Sequence, residues 1–431
     1  MAVSAASSPY ASVIEKYRPD LGPYEDLYKY CHANGELSTQ ESETAALITS
    51  HLKKLPGAGD LDIRTGIGGH GQIAILKNGD GKTILLRADI DALPVQEKTG
   101  LPYASTKTMM DTDGLVKPVM HACGHDFHIT SMLAAAETLL ASRAHWSGTI
   151  VFLFQPAEER GSGAQAMVDD GLYDKSKHGC PIPEVVLGQH VFPQRAGTTA
   201  TKIGSLMSAA DSFKITIFGS GGHGSMPHMT IDPVVIASHV VVRLQTIVSR
   251  EVPPDEIAVV TVGALQAGST ENVISDEAVI KINIRTVTAE WRDRILASVK
   301  RILEAECVAG RCPQPPTIEP TSRFPLTIND EAATKTVNAA LTGYFGDKHD
   351  PKAKNVLGSE DFGILGTSVQ RPYCFWFFGG HDPRYVDAMT EDGKTHQVPV
   401  NHSPFFAPVI QPTLRTGVDA MVVAALSFVG K

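Results

Sequence analysis

Three apolar runs ending in polar residues organise the first half of the chain. Thr83–Ile90 (TILLRADI), Gly148–Gln155 (GTIVFLFQ) and Val185–His190 (VVLGQH) are short and bounded by turn or polar residues. Such runs suit strands buried on both faces, in a sheet covered by helices. Between the first two lies Asp126–Ser142 (DFHITSMLAAAETLLAS), whose Ala and Leu recur at helical spacing. Helical segments are also predicted at Ser8–Tyr17 and over Glu25–Lys54, with a break near Gly35. Strand–helix–strand alternation implies a mainly parallel α/β sheet.

From about Gly204 the texture changes. Ser212–Phe218 (SFKITIF) alternates polar and apolar, as a strand exposed on one face does. A helix over Asp232–Arg250, strands over Glu256–Val262 and Ala278–Arg285, and a helix over Ala289–Ala309 follow. A further strand is read near Thr317–Pro320. The order describes an inserted α+β sandwich of the ferredoxin-like kind, over 204–313. The flanking parts, 1–203 and 314–431, then form one discontinuous domain. Its second part carries a helix over Asn329–Phe345, a buried strand over Cys374–Phe378 and a final helix over Pro412–Val429. The sequence contains no low-complexity linker and no internal repeat. A chain of 431 residues exceeds what one core usually holds.

Composition narrows the class without naming the chemistry. Hydrophobic residues make up 42% and charged residues 20%, with a net charge of −9 and a pI of about 6.0. This balance argues against a nucleic-acid surface or a membrane-surface patch. Met1–Tyr10 shows neither a basic nor an apolar signal region, and the longest apolar stretches are broken by polar residues. A soluble, cytoplasmic protein is expected. Its six scattered cysteines then read as free thiols.

The chemistry falls at the strand ends. Asp89-Ile-Asp91, Gln155-Pro-Ala-Glu158-Glu159 and Gln189-His190 each follow or close an apolar run. His121-Ala-Cys123-Gly-His125-Asp126-Phe-His128 opens the helix between the first two. In open α/β sheets, sites form outside the carboxyl ends of strands. Thiolate, imidazole and carboxylate are the ligand types that hold zinc, manganese, cobalt or nickel. Cys123 and His125 sit two residues apart, so they can approach one metal or straddle two. Asp89 and Asp126 fit as acceptors that orient imidazole N–H groups. Of Glu158 and Glu159, one can bind metal while the other faces the reacting water. Taken singly, each piece has a plainer reading: His190 as a core histidine, the glutamates as a solvated turn. Their joint placement favours a metal site.

These residues resemble the aminoacylase, hippurate hydrolase and indole-acetyl-amino acid hydrolase branch of the dinuclear metallopeptidases. The matching segments are Gly66-Ile-Gly-Gly, Leu86–Pro94, Met120–Asp126, Phe154–Glu159, Gly188–His190, His223–Pro233, Asn272-Val-Ile, Ser359–Phe362 and His402–Pro404. They keep the family's order over about residues 30 to 405. The resemblance implies two divalent ions, zinc or manganese before cobalt or nickel, held by Cys123, His125, Glu159, His190 and His402. It implies Glu158 as general base and His223 as a group that stabilises the oxyanion. Asn272 and Arg285 match positions that hold the substrate carboxylate; a strand-end surface charge is the competing reading of Arg285. The inserted domain becomes a lid through which such proteins form homodimers. The implied activity is hydrolysis of N-acyl amino acids.

Two departures stand out: Cys31–Leu37 lacks the proline usual in its segment, and Gly224 replaces a common alanine. Neither touches an implied ligand. The alternatives are a dipeptidase or carboxypeptidase with the same site, a non-catalytic binding protein, and a nucleophilic cysteine enzyme using Cys123 with His125 or His128.

Overall fold

The computed structural model describes residues 8–431. Most of the segment read above for export signals, residues 1–7, lies outside the described residues. The strands of the two main sheets, in chain order, are β1 (Leu61–Ile67), β2 (Gly71–Asn78), β3 (Thr83–Asp89), β4 (Gly148–Gln155), β5 (Val185–Arg195), β6 (Thr199–Ala200), β7 (Ala209–Phe218), β8 (Ala258–Ala267), β9 (Glu277–Thr286), β10 (Thr317–Phe324), β11 (His349–Asp350) and β12 (Tyr373–His381). The chain divides into two compact units, residues 8–206 with 328–354 and 361–431, and residues 207–327 with 355–360.

The first unit is built on an eight-stranded sheet in the order β1-β2-β4-β3-β5-β12-β6-β11. Its four central strands, β4, β3, β5 and β12, are mutually parallel, while the β1–β2, β2–β4 and β12–β6 pairs are antiparallel. The apolar runs explain the centre: β3 is buried from its second residue on, and all nine residues of β12 are buried. Register then aligns the polar ends. Arg87 pairs with Leu153 on one side and Gly188 on the other, and Asp89 pairs with Gln155. Two residues past Gly188, His190 comes to the same level of the sheet and pairs with Phe377.

Two apolar helices cover this sheet. His125–Ala141 is buried around most of its circumference, as is Ile410–Val429, and such all-round apolar helices belong in a core. The second begins at Ile410, two residues before the predicted start at Pro412. Among the described residues it alone is long and apolar enough to cross a membrane, and 78% of its most apolar window is buried in the protein. The predicted opening segments are the helices Ala11–Tyr17, Gly22–Ala33 and Ser42–Lys54, the last two separated around Gly35.

The second unit is a four-stranded antiparallel sheet in the order β8-β9-β7-β10. Helices Pro233–Thr246 and Ala289–Ala309 pack their Ile236, Val240, Leu244, Ile295, Val299 and Leu303 against it. The β-α-β-β-α-β succession is the ferredoxin-like arrangement. This unit runs to residue 327 rather than 313, because β10 pairs along β7 as an edge strand.

Candidate metal centre

Each segment of the first unit that carries a candidate ligand is held by local bonds. Gly124, in the left-handed region at φ 84°, turns the chain from Cys123 into the helix that begins at His125. A Cβ at Gly124 would run into the Val191 side chain, so glycine is required there. After β4, Ala157 adopts φ 49°, an uncommon conformation for a residue with a side chain. Its N–H donates to Glu41 Oε1 at 2.8 Å and its carbonyl accepts from Gly163 at 3.1 Å, which pins the turn that presents Glu158 and Glu159. His402 also lies in the left-handed region, at φ 71°, and its N–H donates to the Ala122 carbonyl at 2.8 Å.

The candidate ligands meet. Ligand atoms of Cys123, Glu159 and His402 lie within 4.8 Å of one another, as do those of His125, Glu158 and Glu159. His190 Nε2 stands 3.4 Å from Cys123 Sγ. Glu159 therefore belongs to two overlapping groups, an arrangement suited to two ions close together. Cys123, His125, Glu158 and His190 are buried, and only the His402 side chain is largely exposed.

Hydrogen bonds decide which imidazole nitrogens are available. His125 Nδ1 donates to Asp91, at 2.9 Å to its carbonyl and 3.2 Å to Oδ1. Its Nε2 is buried without a hydrogen-bond partner, 3.8 Å from Glu159 Oε1 and 3.9 Å from Glu158 Oε2. His190 Nδ1 donates to the Val191 carbonyl at 2.7 Å, which leaves Nε2 as its acceptor atom. His128 differs. Its Nε2 accepts the Val191 N–H at 2.9 Å while Nδ1 donates to Asp89, so both nitrogens are engaged although it lies within ligand distance of the cluster.

The two predicted orienting carboxylates each bond an imidazole, but not that of a candidate ligand. Asp89 bonds His128, and Asp126 accepts from His32 Nδ1 at 2.7 Å. His125 is oriented by Asp91, whose Oδ2 also accepts from the Glu159 N–H at 3.0 Å and from Ser38 at 2.7 Å. Asp91 was legible as part of the Asp-x-Asp motif. Arg87 was hidden inside an apolar run, yet it is fully buried and bonds Asp89 at 2.6 Å and Gln155 at 2.9 Å.

Electrostatics describe a pocket of excess negative charge. Burial opposes ionisation of Asp89, but Arg87, His125 and His128 hold it well below the usual carboxylate range. Burial likewise disfavours charge on His125, yet Asp89, Asp91 and Glu159 push it up to about 10. Burial, with the carboxylates of Glu159, Glu158 and Asp89, drives the Cys123 thiol well above its ordinary value. Burial and the neighbouring His128 keep His190 neutral. Buried carboxylates, with no hydrogen bond to Nε2 of His125 or to Oε1 of Glu159, are costly by themselves. Divalent cations relieve all three, so the residues fit a metal centre.

The remaining predicted residues lie in the second unit. His223 pairs with Val273 in a two-stranded ribbon, and Gly224 N–H donates to the Asn272 carbonyl at 2.8 Å. His223 and Asn272 are thus neighbours. A Cβ at Gly224 would stand 3.1 Å from that carbonyl oxygen, tighter than a methyl group usually packs. His223 Nδ1 accepts from Ser225 N–H at 3.1 Å and from its hydroxyl at 2.7 Å, which places the ring proton on Nε2. Arg285, at the end of β9, donates to Asn283 at 3.0 Å and to the Leu357 carbonyl at 2.5 Å.

Residues 85–396 match the model of peptidase family M20/M25/M40. The chain is 39% identical to N-acetyl-L-cysteine deacetylase of Bacillus subtilis (strain 168), over 85% of this chain and 83% of that one. It is 36% identical to hippurate hydrolase of Campylobacter jejuni, over 82% and 88%. Among solved structures, the Bacillus subtilis YXEP protein, described as a dinuclear metal binding peptidase from M20 family, superposes with a TM-score of 0.70 at 28% identity. That match covers 94% of this chain and 97% of the other. The chain therefore belongs to peptidase family M20/M25/M40 and is a hydrolase of amide bonds.

Proposed function

We propose that this hydrolase cleaves the amide bond of N-acyl amino acids, with two divalent ions held by Cys123, His125, Glu159, His190 and His402. The observation that carries this reading is the pair of overlapping donor groups sharing Glu159, with His125 Nε2 and Glu159 Oε1 buried and without a hydrogen bond. A thiolate, imidazole and carboxylate set suits zinc or manganese, with cobalt and nickel accommodated. Bound there, such ions acidify water and polarise the scissile carbonyl.

Glu158 accepts the proton of the attacking water and returns it to the leaving amine. Its burial beside His125 supports that role. His223, with its proton on Nε2, donates to the oxyanion, a contribution of about 3–4 kcal/mol per donor in comparable sites. Asn272 and Arg285 bind the substrate carboxylate. The second unit serves as lid and as the surface of a homodimer. Val235 and Val242, exposed on helix Pro233–Thr246, support a face that a second copy covers. All six cysteines are unpaired, which favours a reducing, cytoplasmic setting.

The second reading, a dipeptidase or carboxypeptidase, draws support from the peptidase description of the YXEP structure. A panel of N-acetyl, N-benzoyl and indole-acetyl amino acids, set against dipeptides and compared by kcat/KM, separates the two. Preference for blocked amino acids is expected. Faster turnover of free dipeptides would overturn the assignment.

A further inference from the structure

The residue before His402 reaches two other ligand-bearing segments of the first unit. Asn401 Nδ2 donates to the Cys123 carbonyl at 3.1 Å and to the Val191 carbonyl at 3.2 Å, and stands 3.8 Å from Cys123 Sγ. Cys123 lies in the loop that opens helix His125–Ala141, whereas Val191 lies in β5. The Val191 carbonyl is the same oxygen that accepts from His190 Nδ1, at 2.7 Å. On its other side, the Val191 N–H donates to His128 Nε2 at 2.9 Å. The orientation of this one residue's backbone sets the rotation of the His190 ring, and with it the approach of Nε2 to Cys123 Sγ at 3.4 Å. His402 is tied separately to the Ala122 carbonyl at 2.8 Å. Asn401 and His402 thus lace together the three segments that carry Cys123, His190 and His402.

We propose that Asn401 is a positioning residue for the metal centre, its carboxamide setting the spacing of Cys123, His190 and His402 before an ion binds. This rests on the reading of those three residues as ligands. A carboxamide nitrogen carries two N–H donors without a charge, so one group satisfies two carbonyls that no covalent bond holds together. Asn401 Oδ1 is buried without a hydrogen-bond partner, so the donor half alone accounts for an amide here. Supporting contacts of this kind in metal sites typically change affinity about 10- to 100-fold.

The test uses the full chain stripped of metal by chelation: wild type, Asn401→Leu, Asn401→Ser and, as a control on the ligand set, Cys123→Ala. Zinc and cobalt affinities are read by competition with a chromophoric chelator. The thiolate-to-cobalt absorption band and the thermal midpoint of the metal-free protein are recorded beside them. Asn401→Leu, of similar size but without donors, should bind zinc about 10- to 100-fold more weakly with an altered cobalt band. Its metal-free midpoint should fall modestly, since two carbonyls lose a donor, so the altered cobalt band carries the distinction. Asn401→Ser, which keeps one donor, should recover part of the loss. Affinity within about twofold of wild type in Asn401→Leu, while Cys123→Ala binds weakly, would overturn the positioning role alone. Unchanged affinity in Cys123→Ala would overturn the ligand reading beneath it. A metal-free midpoint that falls in Asn401→Leu with no change in the cobalt band would make Asn401 a structural residue only.

Discussion

Arg87 offers the sharpest test of how the sheet supports the centre. Its side chain is fully buried, with Nε donating to Gln155 Oε1 at 2.9 Å, one terminal nitrogen to Asp89 at 2.6 Å and the other 3.5 Å from Asp361. Arg87→Met keeps an unbranched apolar stem, shorter than that of arginine, and removes every donor. Asp361 retains bonds from Gln155 at 2.6 Å and from the Ala164 N–H at 3.0 Å, and Asp89 retains His128. Both carboxylates nonetheless lose the cation that offsets their burial. Removing one partner of a buried ion pair typically costs about 3–5 kcal/mol. With two carboxylates exposed to the loss and some bonds remaining, the variant is expected within that range. Guanidinium unfolding followed by tryptophan fluorescence reports it directly, since Trp146 and Trp376 are fully buried in the first unit. Combining Arg87→Met with Asp361→Asn should be less damaging than the sum, by about 0.5–3 kcal/mol of coupling. A loss under about 1 kcal/mol, or strict additivity of the pair, would refute the reasoning.

Three further outcomes follow from the same contacts. Glu158→Gln should retain metal, measured by elemental analysis, and lose about 10²–10⁴-fold in kcat; retention of most of the rate would remove Glu158 as base. His32 bonds Asp126 at 2.7 Å and Glu97 at 3.1 Å; burial opposes its charge, but these partners raise it to about 9. A folded-state value above the unfolded one near 6.5 means stability is fully present below about pH 6.5 and lost as pH rises towards 9. The window is worth at most about 3 kcal/mol, and His32→Gln should flatten it in denaturation midpoints taken at pH 6 and pH 9. Gly124→Ala places a methyl group against Val191 at positive φ, and should lower stability by more than about 1 kcal/mol together with metal affinity. An unchanged midpoint would show that the loop relaxes freely.

Much of the site was legible because polar groups interrupt apolar runs where packing alone would not put them. The runs at Thr83, Gly148 and Val185 all became central strands, and register brought Asp89, Gln155 and His190 to one level. Other features left no such signal. β5 continues past His190 to Arg195, ending in Pro193, Gln194 and Arg195, which carry no strand pattern, and β1 is a half-exposed edge of mixed composition. β10 contains Pro320 and belongs to the second unit through its pairing with β7, which only register reveals. The difference between His125 and His128 is likewise a matter of partners. Both imidazoles sit on one helix three residues apart, yet the Val191 N–H occupies His128 Nε2 while His125 Nε2 is left without a bond. Asn401 reaches the Cys123 and Val191 carbonyls and the Cys123 sulfur across the fold, which no spacing along the chain records.

The measurement that bears most directly on the central claim is the rate of N-acetyl and N-benzoyl amino acid hydrolysis as metal is removed and restored. The protein is assayed as purified, after exhaustive chelation with metal content measured, and during titration with zinc or manganese. Activity should vanish on removal and return as two equivalents per chain are bound. Full activity in protein shown to contain no metal would contradict the account.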